Sequence, residues 1–218
     1  MSVRLSKEEG EFLVKLSRKA VNEYLTNFIK IEIPSNTPEK LKEKRGVFVT
    51  IERIVKNEDG LWRRELRGCI GFPEPVYPLA EATIEAAISA ATDDPRFPPM
   101  LPEELKNVVF EVSVLTKPEL VIYQDPSELL EKIRIGRDGL IIEKGMFRGL
   151  LLPQVPVEYR WSVEEYLSQT CLKAGLPPDS WRYSKVKIYT FQAQVFAEIF
   201  PEGEIVERIL DFTFSRNE

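Results

Sequence analysis

The sequence predicts an α+β protein: an antiparallel sheet with flanking helices forms a larger subdomain, and a smaller α+β subdomain is inserted into it. Three observations carry this reading. Alternating apolar residues mark strands near both ends of the chain, helical-period segments lie between them, and the pattern breaks into short pieces after Pro118. A chain of 218 residues is one large domain or two small ones. The expected organisation is therefore one domain, with a larger subdomain from residues 1–117 and 185–218 and an insertion over 118–184.

Ser6 with Glu9 makes a capping box, and Leu13, Leu16, Ala20 and Tyr24 recur at helical spacing, so residues 7–28 read as a long amphipathic helix. Val47, Val49, Ile51 and Val55 alternate toward one face, a turn follows at Asn57-Glu58-Asp59-Gly60, and a second strand runs from Leu61, giving a hairpin. Leu79–Ala91 reads as a helix stopped by Asp94-Pro95. Phe110, Val112 and Val114 mark a third strand. Inside the insertion, Asp125-Pro126 opens a helix, Leu140–Ile142 and Leu150–Leu152 are brief strands, and Ser162 with Glu165 caps a helix ending at Gly175. Tyr189, Phe191, Ala193, Val195, Ala197 and Ile199 then share one face of a long strand. Residues 47–55, 61–70, 108–116 and 185–199 are expected in a single sheet, and the tail from Glu204 carries no decisive pattern.

Composition removes several function classes. The chain has no histidine, so no imidazole can act as base, nucleophile partner or metal ligand. Its two cysteines, Cys69 and Cys171, form no Cys-x-x-Cys pair, which removes zinc ribbons and dithiol redox motifs. Cys171 lies on a helix and reads as core, with a bridge to Cys69 as the alternative. No metal site is expected, and no nucleotide or nicotinamide motif calls for a cofactor. A formal charge of -5 disfavours sequence-independent nucleic-acid binding. Arg63, Arg64 and Arg67 on one hairpin arm are split by strand alternation. No signal segment or membrane-length run occurs, so a cytoplasmic protein without membrane partners is expected. Abundant Lys and Glu with few Asn and Gln resemble heat-adapted composition.

The most unusual local run is Leu66-Arg67-Gly68-Cys69-Ile70-Gly71. Strand alternation would put Arg67 and Cys69 on one face and Leu66 and Ile70 on the buried one. A guanidinium lowers the pKa of a neighbouring thiol, and Gly68 and Gly71 admit a ligand or another backbone at close range. Against that stands a small packed Cys in a strand bent at its glycines. Glu111 and Ser113 point away from the apolar face of the third strand, making Glu111 a partner for Arg67 or simply part of a solvated face. In Asp93-Asp94-Pro95-Arg96-Phe97-Pro98-Pro99, acidic groups follow a helix C-terminus, where the helix dipole disfavours them. Arg96 can compensate while the prolines hold Phe97, as a recognition loop or a rigid connector. Gly136-Arg137-Asp138-Gly139 reads as a turn.

Four runs appear in order: Leu66–Gly71, Asp94–Pro99, Glu111–Leu115, and Arg148-Gly149-Leu150-Leu151-Leu152-Pro153-Gln154-Val155. Together they resemble the AMMECR family, from about Leu13 to Phe200. The resemblance implies two subdomains with a cleft faced by the Leu66–Gly71 motif. It implies no defined reaction, only suggestions that range from protein or nucleic-acid ligands to a partner role beside Memo-like and radical-SAM proteins. Some relatives carry His where this chain has Asp138, so a mechanism needing that imidazole cannot run here. The resulting candidate ligand contacts are Arg67, Gly68, Gly71, Asp94, Arg96 and Phe97, with Ser113 and Gln154. Cys69 and Glu111 are the candidate catalytic pair. A module that binds a protein or other large ligand ranks first. The alternatives are a thiol enzyme, with Arg67, Glu111 or Lys173 activating Cys69, and a partner subunit of another enzyme.

Overall fold

The structure is a computed structural model and describes residues 4–56, 59–183 and 185–209. In chain order the elements are α1 (Lys7–Asn27), β1 (Val47–Lys56), β2 (Trp62–Phe72), α2 (Leu79–Thr92), β3 (Val108–Leu115), β4 (Glu119–Leu120), α3 (Glu128–Lys132), β5 (Gly139–Lys144), β6 (Phe147–Leu151), α4 (Gln154–Glu158), α5 (Val163–Lys173), α6 (Ser180–Tyr183), β7 (Lys187–Phe191), β8 (Ala193–Glu198) and β9 (Ile205–Arg208). They divide into two compact units. The first is the described part of Met1–Leu115 with Gln194–Arg208, and the second is Thr116–Ala193 with Ile209.

The first unit holds a five-stranded sheet in the order β2-β1-β3-β8-β9, with antiparallel pairing of β1 to β2, β1 to β3 and β8 to β9. The Ser6–Glu9 capping box starts α1, satisfying two of the N–H groups that a helix N-terminus leaves open. Val49 and Ile51 of β1, Phe110 and Val112 of β3, Leu13 of α1 and Ile84 of α2 share one core. Ala80, Ala82, Ala86, Ala87, Ala90 and Ala91 make α2 slim and buried on most sides. That lets its backbone approach the sheet closely. The sheet therefore has a face toward the helices and an opposite face, and the opposite face carries the candidate groups.

The second unit has a four-stranded sheet, β4-β7-β5-β6, whose core includes Ile142, Tyr166, Leu167, Cys171 and Trp181. Its Gly136–Gly139 segment is a turn. There the buried Asp138 carboxylate accepts from the Arg134 N–H at 2.9 Å and from Arg137 Nε at 2.7 Å.

One expectation fails. Residues 185–199 are not a single strand. The chain breaks at Gln192, leaving β7 in the second sheet and β8 in the first. At the break the N–H of Gln192 donates to the Thr116 hydroxyl and the Gln192 carbonyl accepts from the Thr116 N–H, both at 2.8 Å. A two-residue period runs on through such a crossing, because alternation is a property of each strand and not of the sheet it joins. The ambiguous tail supplies β9 at the end of the first sheet. Asn57, Glu58, Ser184 and residues 210–218, on which parts of the expected hairpin turn, insertion boundary and tail fall, lie outside the described residues.

Candidate functional site

The register between β1 and β2 slips by one residue. Ile51 faces Gly68 and Glu52 faces Leu66, leaving Arg67 as the extra residue of a β-bulge. A bulge resets the alternation, so the expected grouping changes. Leu66 is not buried but 38% exposed. Ile70 keeps its place against the helix-side core. Arg67 does not stand beside Cys69 as a free cation. Its side chain is 4% exposed as a residue, and its Nε and Nη2 donate to the two Glu104 carboxylate oxygens at 2.8 and 3.0 Å. Nη2 also donates to the Pro98 carbonyl at 2.9 Å. The guanidinium holds Glu104 below its ordinary carboxylate range. Phe97 is half-buried, with the guanidiniums of Arg67 and Arg96 5.8 and 5.6 Å from its ring centre, a cation–π arrangement.

The glycines of the motif serve close packing. A Cβ on Gly68 would lie 2.0 Å from the Ala90 carbonyl oxygen of α2, and one on Gly71 would lie 2.3 Å from the Val47 carbonyl oxygen. Neither contact is tolerable, so of the two expected uses of these glycines, the close approach of another backbone is the one seen.

Asp94 and Arg96 also act on the backbone. The Cys69 N–H donates to Asp94 Oδ2 at 2.8 Å, and Arg96 Nη2 reaches the Cys69 carbonyl at 3.4 Å. Arg96 in turn forks onto Asp94, with Nε and Nη2 at 2.9 and 2.6 Å, and chiefly through that fork the carboxyl is held down to about 2. The loop after α2 therefore seals the outer edge of β2 at Cys69.

On the face away from the helices, the register sets Cys69, Thr50 and Glu111 side by side across β2, β1 and β3. Gly71, Phe48 and Ser113 form the next row. The Thr50 hydroxyl donates to Cys69 Sγ at 3.3 Å. Burial pushes the Cys69 thiol up from its ordinary range, against the smaller opposing effects of Thr50 and Arg96. Glu111 is 4% exposed and Ser113 fully buried, so these positions are no solvated sheet face. The partner of Glu111 is not Arg67 but Arg208 of β9, whose Nη1 donates to its carboxylate. Burial raises the Glu111 carboxyl, and Arg208 works against that rise. Gln154 stands on α4 in the second unit, buried. Cys69 and Cys171 are both free thiols. Among the described residues no group of three or more carboxylates or thiols is arranged to hold a metal ion, and no helix is long and apolar enough to cross a membrane.

Sequence reasoning missed three partners. Thr50 had a signal, as the polar residue between Val49 and Ile51 on an alternating strand. Glu104 and Arg208 had none, because their contacts depend on tertiary structure far from the motif.

A family model described as AMMECR1 matches residues 14–196. The chain belongs to the AMMECR1 family. It is 63% identical over 209 residues to a protein of Thermofilum pendens, covering 95% of this chain and 98% of that one. It is 55% identical over 210 residues to protein PH0010 of Pyrococcus horikoshii. The crystal structure of that uncharacterized protein superposes with a TM-score of 0.88, covering 96% of this chain and all of the other. The family match takes in β2, β3 and the loop that seals β2, so the bulge and the Cys69 row lie within the shared domain.

Proposed function

We propose that this AMMECR1-family protein is a binding module for a protein partner and performs no thiol chemistry on the helix-free face of its first sheet. What carries the reading is that the reactive groups on this face are already engaged. Cys69 is half-buried, its thiol is bonded by Thr50, and desolvation shifts it toward its protonated form. Glu111 is held by Arg208. A nucleophilic cysteine needs the opposite environment, with a populated thiolate and a base in reach. The acidic chain, at -5, favours a protein over nucleic acid as the partner.

The test is the pH dependence of iodoacetamide labelling at Cys69, read by peptide mapping in wild type and in Cys171→Ser, with native folding checked at each pH. The expected inflection lies at or above the ordinary thiol value of about 8.5. An inflection well below about 7 would put thiol catalysis first and overturn the reading.

A further inference from the structure

One stripe of α2 reaches solvent. Glu81, Glu85 and Ser89 recur four residues apart and are half-buried, while every position between them is buried. The chain that leaves α1 runs beside this stripe. Lys30, Ile31, Glu32 and Ile33 line one side of a groove of about 430 Å³, and Glu81, Ile84 and Glu85 line the other. Ile84 belongs to the core of the first unit and Ile31 packs against it, which gives the groove an apolar floor. The approach is apolar as well, with Phe28, Ile29 and Ile33 85%, 55% and 38% exposed. Apolar side chains clustered in the open mark interaction sites more often than scattered ones do.

Charge selects the occupant. The lining holds three carboxylates, on Glu32, Glu81 and Glu85, against the single ammonium of Lys30. Lys30 is ion-paired to Glu85, and among the described residues no ion pair is made to Glu32 or Glu81. Two carboxylates are thus left over at the rim of an apolar groove. Lys30 also shows what such a rim takes up. Glu85 chiefly, and Glu81 with it, hold its ammonium above the ordinary lysine range against the opposing effect of burial.

Other occupants fit less well. Carboxylates repel the phosphates of a nucleic acid, and a second copy seated here about a two-fold axis would set them against their own images. A bare metal ion finds no cage, since no group of three carboxylates or thiols among the described residues is arranged to hold one. The apolar floor and acidic rim together suit cations on apolar stems, with apolar neighbours beside them.

We infer that the groove between α2 and the Lys30–Ile33 segment is the docking site for a partner's basic segment, with an aliphatic side chain on Ile33 and Ile84 and Lys or Arg cations on Glu32 and Glu81. This deepens the binding reading and rests on it. The thiol titration reads Cys69 and the experiment below reads the groove, so either can fail alone.

The probe is a short blocked peptide of Lys and Leu, titrated into the full-length protein. It is compared with the same peptide carrying Glu for Lys, and with one carrying Ser for Leu. The readout is the δ1-methyl resonances of Ile33 and Ile84, assigned with Ile33→Val and Ile84→Val, and the full methyl spectrum of each variant reports its folding. The basic apolar peptide is expected to shift both methyls saturably by about 1 mM, and less so as salt rises, while the other two peptides do not. Glu32→Gln combined with Glu81→Gln should weaken binding about tenfold. Lys30→Gln should instead tighten it severalfold, because Glu85 is released to the peptide. No shift with any peptide, equal shifts with all three, or variants that fail to move the affinity in these opposite directions would overturn the inference. Methyl shifts that follow protein concentration without peptide would assign the groove to a second copy and overturn it as well.

Discussion

Replacing Arg67 by Ala separates a structural role for the motif's arginine from a ligand-binding one. The side chain makes two charge-assisted bonds to Glu104 and one to the Pro98 carbonyl, each of a kind that contributes about 1.5–3 kcal/mol when buried. They do not simply add. The Glu104 side chain is 25% exposed and regains water once the guanidinium is gone, which keeps the loss below that of a fully enclosed pair. A net destabilisation of about 3 kcal/mol follows. It carries a signature in pH. Because Arg67 holds the Glu104 carboxyl below its unfolded value of 4.5, the stabilisation it provides is present above that value and is lost as pH falls through the folded one. Guanidinium unfolding at neutral pH and at about pH 3 should therefore show a gap between wild type and Arg67→Ala that narrows in acid. A loss under about 1 kcal/mol, unchanged between the two pH values, would refute the reasoning and return Arg67 to the residues available to a ligand.

Gly68→Ala should destabilise the first unit by about 1–3 kcal/mol, because its Cβ would sit 2.0 Å from the Ala90 carbonyl oxygen and α2 would have to lift. Denaturant unfolding measures it, and an unchanged midpoint would mean that α2 is not seated there. Arg208→Ala should cost more in wild type than in Glu111→Gln, with a coupling of about 1–3 kcal/mol in a double-mutant cycle; additive effects would refute the pairing. Burial raises the Glu111 carboxyl, so its contribution is full below the unfolded value and falls as pH rises. With Arg208 gone that loss should appear as falling stability between acid and neutral pH.

Much of the fold was legible because its signals are local. The Ser6–Glu9 and Ser162–Glu165 capping boxes, the alternation of Val47, Val49 and Ile51, and the alanine-rich run of α2 each settle an element from within its own residues. What stayed hidden depends on pairing. The bulge at Arg67 is a property of β1 and β2 together, and once it is present, alternation across Leu66–Ile70 assigns Leu66 to the wrong face. The strand change at Gln192 likewise needs Thr116 as its partner, 76 residues away in sequence. The candidate site was half legible. Cys69 and Glu111 do share a face, but their actual neighbours, Thr50 and Arg208, and the commitment of Arg67 to Glu104 come from packing.

The sealing of β2 bears on how any partner approaches. An edge strand offers a row of open backbone groups that invites another strand, and β2 is the edge of its sheet. At Cys69 both groups of that row are taken, the N–H by Asp94 and the carbonyl by Arg96, and the two side chains are locked to each other. A partner adding as a strand along the motif would have to displace a bidentate ion pair whose carboxyl is held down to about 2. The loop after α2 therefore protects the β2 edge at the motif, and strand addition there is the one mode of approach that its ion pair opposes directly.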